Sequence, residues 1–154
     1  MNKNVIDRYS NGQGYSTITF VSHSKNEMKL TKRNMQKNKE LLFIKSPFLS
    51  NNPSYSNIEQ YLKEIKEIVS RELPDISKGG FLVIQTQDAR INGHVEPLAK
   101  RLVDMLTFDN LWPKEIVVVT QERQNPHIDK SERCLNITHQ YLLVYEKTKE
   151  DKYV

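Results

Sequence analysis

Two short segments of this chain lie just after apolar runs, and they contain residue types that could act on a ligand. Ser46-Pro47-Phe48 follows the apolar residues 41–44, and Gln87-Asp88-Ala89-Arg90 follows the apolar residues 81–84. An uninterrupted apolar run is typical of a strand in a parallel sheet that helices cover on both faces. Ligands of such sheets bind beyond the carboxyl ends of the strands. We therefore expect the hydroxyl, aromatic, carboxylate and guanidinium groups of these segments to contribute to a functional site.

Further strands are predicted from apolar patterning at residues 16–21, 115–120 and 141–145. Two helices are predicted from apolar residues that recur at helical spacing. The first is predicted to have Asn57 or Ser56 as its N-cap, and the second to have Pro97 in its first turn. Their apolar stripes are Ile58, Leu62, Ile65 and Val69, and Leu98, Leu102, Met105 and Leu106.

The predicted order of strand, helix, strand, helix, strand gives two right-handed crossovers and a mainly parallel sheet. The final strand has no helix before it and is expected to pair antiparallel at a mixed edge. The predicted fold class is therefore α/β. Residues 1–39 are expected to be a polar, basic, partly irregular lead-in, residues 40–147 the α/β domain, and residues 148–154 a charged tail.

Composition excludes several classes of protein. No apolar run approaches the roughly 20 residues that cross a bilayer, so no membrane partner is expected. The single cysteine, Cys134, cannot form an internal disulfide, which predicts a cytoplasmic or nuclear rather than a secreted protein. The scattered histidines predict no metal site, and neither a serine-hydrolase nor a P-loop motif occurs. The net charge of +4 supports a nucleic-acid partner only weakly.

The order of these features resembles the catalytic half of S-adenosylmethionine-dependent DNA methyltransferases that act on the exocyclic amine of adenine or cytosine. The resemblance extends over roughly residues 40–147. It rests on Ser46-Pro47-Phe48, the Tyr55-Ser56-Asn57 loop, the Lys78-Gly79-Gly80 turn, the Asp88-x-Arg90 segment and the terminal strand at residues 139–147. It implies a partial Rossmann-like methyltransferase fold, S-adenosylmethionine as methyl donor, and DNA rather than RNA as partner.

In that family a Ser, Asn or Asp precedes Pro-Pro and an aromatic residue. The resemblance implies that Ser46 accepts a hydrogen bond from the target amine, that Pro47 stiffens the loop and presents a carbonyl, and that Phe48 stacks on the base. Tyr55, Asp88 and Arg90 are the substrate-binding candidates. For each of these three a structural role is the alternative, because Tyr55 could pack on the helix and Asp88 and Arg90 could shape the turn.

The chain has one proline where the family has two. A second register, Lys45-Ser46-Pro47-Phe48, keeps the proline next to the aromatic residue but puts lysine at the acceptor position. A charged lysine has no acceptor lone pair, so this register predicts a damaged site. The sequence leaves both registers open.

The family also binds its cofactor through a glycine-rich turn between a strand and a helix. Asn11-Gly12-Gln13-Gly14 is the nearest match, but no apolar strand precedes it and no helix is predicted after it. The cofactor-binding residues are therefore unknown. We expect a truncated or split enzyme whose cofactor half lies in a missing segment or a second subunit. The alternatives are a noncatalytic relative that serves as a binding or dimerisation module, and an RNA methyltransferase.

Overall fold

The structure, a computed structural model, describes residues 1–10, 14–22, 28–33, 37–46, 53–120 and 139–148, and the account of the structure concerns these residues. Pro47, Phe48 and residues 149–154 lie outside them. The helices are α1 Asn2–Ser10, α2 Tyr55–Glu72 and α3 Leu98–Met105, and a 3-10 turn, Leu73–Asp75, follows α2. The strands are β1 Tyr15–Ser22, β2 Met28–Arg33, β3 Lys39–Lys45, β4 Ile76–Thr86, β5 Ala89–Ile91, β6 His94–Glu96, β7 Leu111–Thr120 and β8 His139–Lys147.

The main sheet has the order β2-β1-β3-β4-β8-β7. β1 pairs parallel with β3, β3 pairs parallel with β4, and β8 pairs antiparallel with both β4 and β7. β1, β3, β4 and β7 therefore share one direction. The predicted α/β class, with a mainly parallel sheet and an antiparallel final strand, is confirmed.

The final strand β8 lies between β4 and β7, and its antiparallel pairing with β7 forms the mixed edge of the sheet. Residues 142–145 of β8 are buried, which suits an interior strand. The first half of β7 contains Pro113, Lys114 and Glu115. Proline and charged residues favour an edge position, and β7 is an edge strand.

The two faces of the sheet are covered unequally. Alternation along β3 directs Leu42 and Ile44 towards the α2 and α3 side, and Leu41 and Phe43 towards α1. We call these sides the helix-pair face and the α1 face. The larger core cluster lies on the helix-pair face, while α1 contributes only Val5 and Tyr9 to the buried residues of the smaller cluster.

α2 begins earlier than either predicted start. Ser54 is its N-cap, and its Oγ accepts a hydrogen bond of 3.1 Å from the Asn57 backbone N–H in a capping box. The predicted apolar stripe of α2 is buried, together with Tyr61 and Ile68. In α3, Leu98 and Leu102 are buried as predicted, and Pro97 is the N-cap rather than a first-turn residue.

The first 39 residues contain more regular structure than the sequence predicted. The strand expected at residues 16–21 is confirmed as β1, whereas α1 and β2 were not predicted. α1 is short and mostly polar, so its stability depends on packing Val5 and Tyr9 against the sheet. The division of the chain at residue 39 stays a prediction.

Residues 116–119 form an uninterrupted apolar run, but helices do not cover both faces of the sheet at this part of β7. Ile116 and Val118 on the helix-pair face are 56% and 54% exposed, and Val117 and Val119 on the α1 face are half-buried. Neither α3 nor α1 extends fully over the outermost part of the sheet at β7. The apolar run at residues 116–119 therefore predicted a strand correctly, but the strand is less buried than such a run suggests.

Candidate functional site

Three strand ends meet at one edge of the sheet. Lys45 at the end of β3 pairs with Gln85 of β4, and Thr86 at the end of β4 pairs with Tyr141 near the start of β8. Since β8 is antiparallel, its first residues lie at the same edge as the last residues of β3 and β4. This carboxyl edge holds the described residues of both polar segments that the sequence singled out.

Ser46, the first residue after β3, is completely buried. Its backbone N–H and its Oγ both donate to the Gln85 carbonyl oxygen, at 3.0 Å and 2.7 Å. Its own carbonyl oxygen accepts a 2.7 Å hydrogen bond from the Tyr61 hydroxyl. Every polar group of Ser46 therefore has a partner within the protein.

Tyr61 of α2 is the residue of this site that the sequence reasoning missed. Its hydroxyl lies 3.1 Å from Ser46 Oγ and 2.9 Å from Thr86 Oγ1, in addition to its bond to the Ser46 carbonyl. Burial raises the pKa of Tyr61, so the hydroxyl stays protonated and can donate. The available signal was its spacing, three residues after Ile58 and four before Ile65, on the buried face of the helix.

This geometry affects both registers of the motif. In the first register the acceptor is Ser46 Oγ, which is buried and already donates to Gln85. The Ser46 carbonyl oxygen, which precedes Pro47 in both registers, already accepts a hydrogen bond from the Tyr61 hydroxyl. Lys45 points to the α1 face instead, where its Nζ lies 5.6 Å from the centre of the Phe43 ring.

Asp88 follows β4 in the chain, and its side chain contacts the first turn of α3. Its Oδ1 accepts a 3.2 Å hydrogen bond from the backbone N–H of Ala99 in the first turn of α3. Burial, with a smaller contribution from the neighbouring Asp88 carboxylate, raises the pKa of Tyr141. His139 Nε2 lies 2.8 Å from the Tyr141 hydroxyl. The contacts of Asp88 and His139 are those of residues that fix local structure.

The other two substrate-binding candidates lie apart from Ser46. Arg90 belongs to the β5–β6 hairpin, and its Nη1 donates to the Gly93 carbonyl at 3.3 Å. Tyr55 is the first residue of α2 and is 60% exposed. The structure therefore brings Ser46 together with Gln85, Thr86 and Tyr61, and gives no contact between Ser46 and either Arg90 or Tyr55.

The Lys78-Gly79-Gly80 turn lies near the opposite, amino-terminal end of β4. A Cβ on Gly80 would lie 2.9 Å from the carbonyl oxygens of Glu40 and Ser77, and Gly79 has φ of 81°. The two glycines thus permit close backbone packing and a left-handed turn.

The described part of the chain contains neither a metal-binding cluster nor a membrane-spanning helix. No three or more of its His, Cys, Asp or Glu side chains are arranged to hold a metal ion. None of its helices is long and apolar enough to cross a membrane.

Among solved structures, the chain resembles the cytosine-N4-specific PvuII DNA methyltransferase, with a TM-score of 0.59 and 12% sequence identity over 77% of this chain and 46% of that one. A protein of Thermus thermophilus, provisionally assigned as a DNA modification methylase, gives a TM-score of 0.46 and 13% identity over 79% of this chain and 50% of its own. The chain thus spans about half the length of these proteins. No protein-family profile matches it, and no curated protein sequence does. The likeness to the PvuII enzyme shows that this chain has a DNA-methyltransferase-like fold.

Proposed function

We propose that this chain is the target-amine half of an S-adenosylmethionine-dependent DNA methyltransferase that acts on the exocyclic amine of adenine or cytosine. The observation that supports this most is the fold shared with a cytosine-N4-specific enzyme, together with the position of Ser46 after β3 at the carboxyl edge of the sheet. The net charge of +4 is compatible with a DNA partner.

The described residues do not fit the cofactor. Gly14 follows α1 and precedes a strand, Gly79 and Gly80 lie within β4, and Gly93 lies in the β5–β6 hairpin. None of these glycines connects a strand to a helix. We therefore assign none of the described residues to S-adenosylmethionine, and propose that a further segment or a second subunit binds it.

The proposed task of this half is to position a weak nucleophile. The lone pair of an exocyclic amine is delocalised into the base, so catalysis depends on hydrogen bonds that hold the amine in the reactive orientation. Ser46 would accept one of these bonds, Pro47 would present a carbonyl, and Phe48 would stack on the base. Tyr55, Asp88 and Arg90 remain the proposed substrate contacts.

One observation favours a second candidate function, a noncatalytic relative that uses the fold as a binding or dimerisation module. Ser46 has no exposed surface, and its hydroxyl proton is directed at the Gln85 carbonyl. A hydroxyl oxygen has two lone pairs, and Tyr61 lies within reach of one of them. Catalysis through Ser46 would require the remaining lone pair to become accessible to the base.

The first test measures cofactor binding and methyl transfer. Calorimetry should detect weak or no binding of S-adenosylmethionine to the chain by itself, and tight binding would refute the proposed missing half. The tagged chain, purified from its host with whatever co-purifies, should transfer a labelled methyl group to DNA. Absence of transfer would favour the noncatalytic module.

The second test separates chemistry from structure at Ser46. Ser46→Ala should lower methyl transfer by about 100-fold or more, as expected for a lost hydrogen bond at the reacting group. Tyr61→Phe loosens the same network but keeps Ser46 Oγ, and Ser56→Ala changes an exposed serine of α2 as a control. Equal losses in Ser46→Ala and Tyr61→Phe would assign Ser46 a structural role. Unchanged transfer in Ser46→Ala and Phe48→Ala would remove both from the mechanism.

A further inference from the structure

The second half of β7 is an uncovered edge of the main sheet. β7 is the outermost strand, and among the described residues only β8 pairs with it. Ile116 and Val118 are 56% and 54% exposed, and Val117 and Val119 are half-buried. An edge strand presents a row of unpaired backbone N–H and C=O groups to any strand that lies alongside it. Here apolar side chains accompany that row.

The two halves of β7 differ in their protection against strand pairing. Pro113, Lys114 and Glu115 in the first half are residue types that block pairing at the edges of natural sheets. Residues 116–120 read Ile-Val-Val-Val-Thr, without proline or charge, and every side chain is β-branched. Such segments combine high β-propensity with low net charge and pair readily with other strands. The edge is therefore open over residues 116–120.

The charges next to this segment are neutralised within the chain. Lys114 Nζ lies 3.4 Å from Glu146 Oε2, and Glu115 Oε1 lies 3.3 Å from Arg8 Nη2. Glu115 also accepts a hydrogen bond from the Tyr9 hydroxyl. No unbalanced charge at this edge attracts a basic or an acidic segment. The edge therefore favours a partner strand that is itself apolar and uncharged.

Residues 116–120 meet that requirement themselves, because the segment is symmetric about Val118. In an antiparallel pair with a two-fold axis at Val118, this residue faces Val118 of the second copy. Val117 then faces Val119, and Ile116 faces Thr120. Opposed side chains must share a face of the sheet. Alternation along β7 satisfies this condition, since Ile116, Val118 and Thr120 lie on one face and Val117 and Val119 on the other.

We propose that the chain forms a symmetric dimer in which residues 116–120 of β7 pair antiparallel with the same residues of a second copy. This pairing joins two six-stranded sheets into one and covers the exposed side chains of Ile116 and Val118. Interfaces below about 1,200 Å² typically belong to weak, transient complexes, and a single pair of strand edges is of this kind. We therefore expect a dissociation constant in the micromolar range. The association does not depend on which candidate function the chain has.

The first test measures association. Sedimentation velocity of the chain from about 5 to 500 μM should show a reversible equilibrium of monomer and dimer. Val118→Lys places two ammonium groups opposite each other at the two-fold axis and should raise the dissociation constant at least about 10-fold. Val95→Lys changes a similarly exposed valine of the β5–β6 hairpin and should leave the dissociation constant unchanged. Thermal unfolding of each variant shows that it folds.

Three results of this test would overturn the proposal. They are a monomer at every concentration, a dimer that Val118→Lys does not weaken, and an equal weakening by Val118→Lys and Val95→Lys. The first of these would leave the edge to a strand of a different protein.

The second test uses cross-linking to examine the register. In the proposed pair the two Val118 Cα atoms lie about 4.5–5.5 Å apart, which is within the usual range for a disulfide. The two Ile116 residues are four positions apart along the ladder, or about 13 Å. In a Cys134→Ser background, Val118→Cys should therefore form a disulfide-linked dimer under mild oxidation at least about 10-fold faster than Ile116→Cys. Because the two positions are almost equally exposed, random collisions would give equal rates, and that result would overturn the proposed pairing.

Discussion

The two faces of the sheet differ most at the carboxyl edge, where consecutive residues point to opposite sides. On the helix-pair face, Ser46, Thr86 and Tyr61 are buried and hydrogen-bonded to one another. On the α1 face, Gln85 and Gln140 are half-buried, and one side-chain hydrogen bond joins them. Consecutive residues of one strand therefore lie in different environments at this edge. The helix-pair face is closed here, and we call it the closed face. The α1 face is only partly covered, and we call it the open face.

This difference follows from how much helix covers each face. α2 has 18 residues and seals the helix-pair face, while α1 has nine and leaves β7 and the start of β8 partly uncovered. Polar groups under a long helix must find partners within the protein, because water cannot reach them. Polar groups beyond the end of a short helix can keep their hydrogen-bonding capacity for a ligand.

The largest expected effect is the loss of the Tyr61 side chain. Tyr61→Ala should lower the free energy of unfolding by about 3–5 kcal/mol, because it removes a completely buried ring and leaves a cavity. Val119→Ala, on the open face, should cost clearly less because Val119 is half-buried. Urea denaturation of both variants measures the difference. Similar losses would mean that the two faces are equally closed.

Alkaline pH should destabilise the closed face. Burial, with a smaller contribution from Asp104, raises the pKa of Tyr145 to about 12. Since this folded-state pKa lies above the ordinary tyrosine pKa of 10.0, the stabilisation is complete below about pH 10 and is lost as pH rises through about 12. Over that window Tyr145→Phe should lose roughly 2–3 kcal/mol less stability than the unaltered chain. Parallel unfolding curves of the two proteins against pH would contradict this.

Removal of two buried tyrosine hydroxyls of the closed face should change the free energy of unfolding in different directions. The Tyr61 hydroxyl has three oxygen atoms within hydrogen-bonding distance, whereas the Tyr145 hydroxyl has no hydrogen-bond partner among the described residues. Tyr61→Phe should therefore cost about 1–3 kcal/mol at neutral pH, and Tyr145→Phe should be neutral or slightly stabilising. Denaturation midpoints determine both values. A destabilised Tyr145→Phe would show that its hydroxyl has a favourable partner.

The smallest effect on stability is expected on the open face. Gln140→Leu removes one hydrogen bond between half-buried amides and should change the free energy of unfolding by no more than about 1 kcal/mol. A loss of several kcal/mol would place Gln140 among the structural residues and bring the two faces closer together.

Much of the scaffold could be predicted because strand and helix periodicities are local. The apolar runs at residues 41–44 and 81–84 and the stripe from Ile58 to Val69 gave β3, β4 and α2. The start of α2 was missed because Ser54, Ser56 and Asn57 are all good N-caps, and only the capping box with Asn57 distinguishes Ser54. α1 and β2 were missed because polar segments of this kind depend on distant packing partners.

The candidate site was predictable in position but not in environment. The rule that ligands bind beyond the carboxyl ends of strands led to Ser46 and Asp88, and both lie at that edge. That Ser46 is buried against Tyr61, and that Asp88 bonds the first turn of α3, depends on contacts between residues 11 to 39 positions apart in sequence. Pro47 and Phe48, which lie outside the described residues, remain predictions.

By itself the sequence determined the α/β class, the shared direction of β3, β4 and β7, and the antiparallel course of β8. These features could be predicted because hydrophobic periodicity and connection length are local properties of the sequence. The tertiary structure alone decided that β8 lies between β4 and β7, that the Tyr61 hydroxyl bonds Ser46, and that Gln85 bonds Gln140 on the α1 face. These outcomes depend on which side chains compete for the same buried space and the same hydrogen bonds, and that competition exists only once the strands have come together.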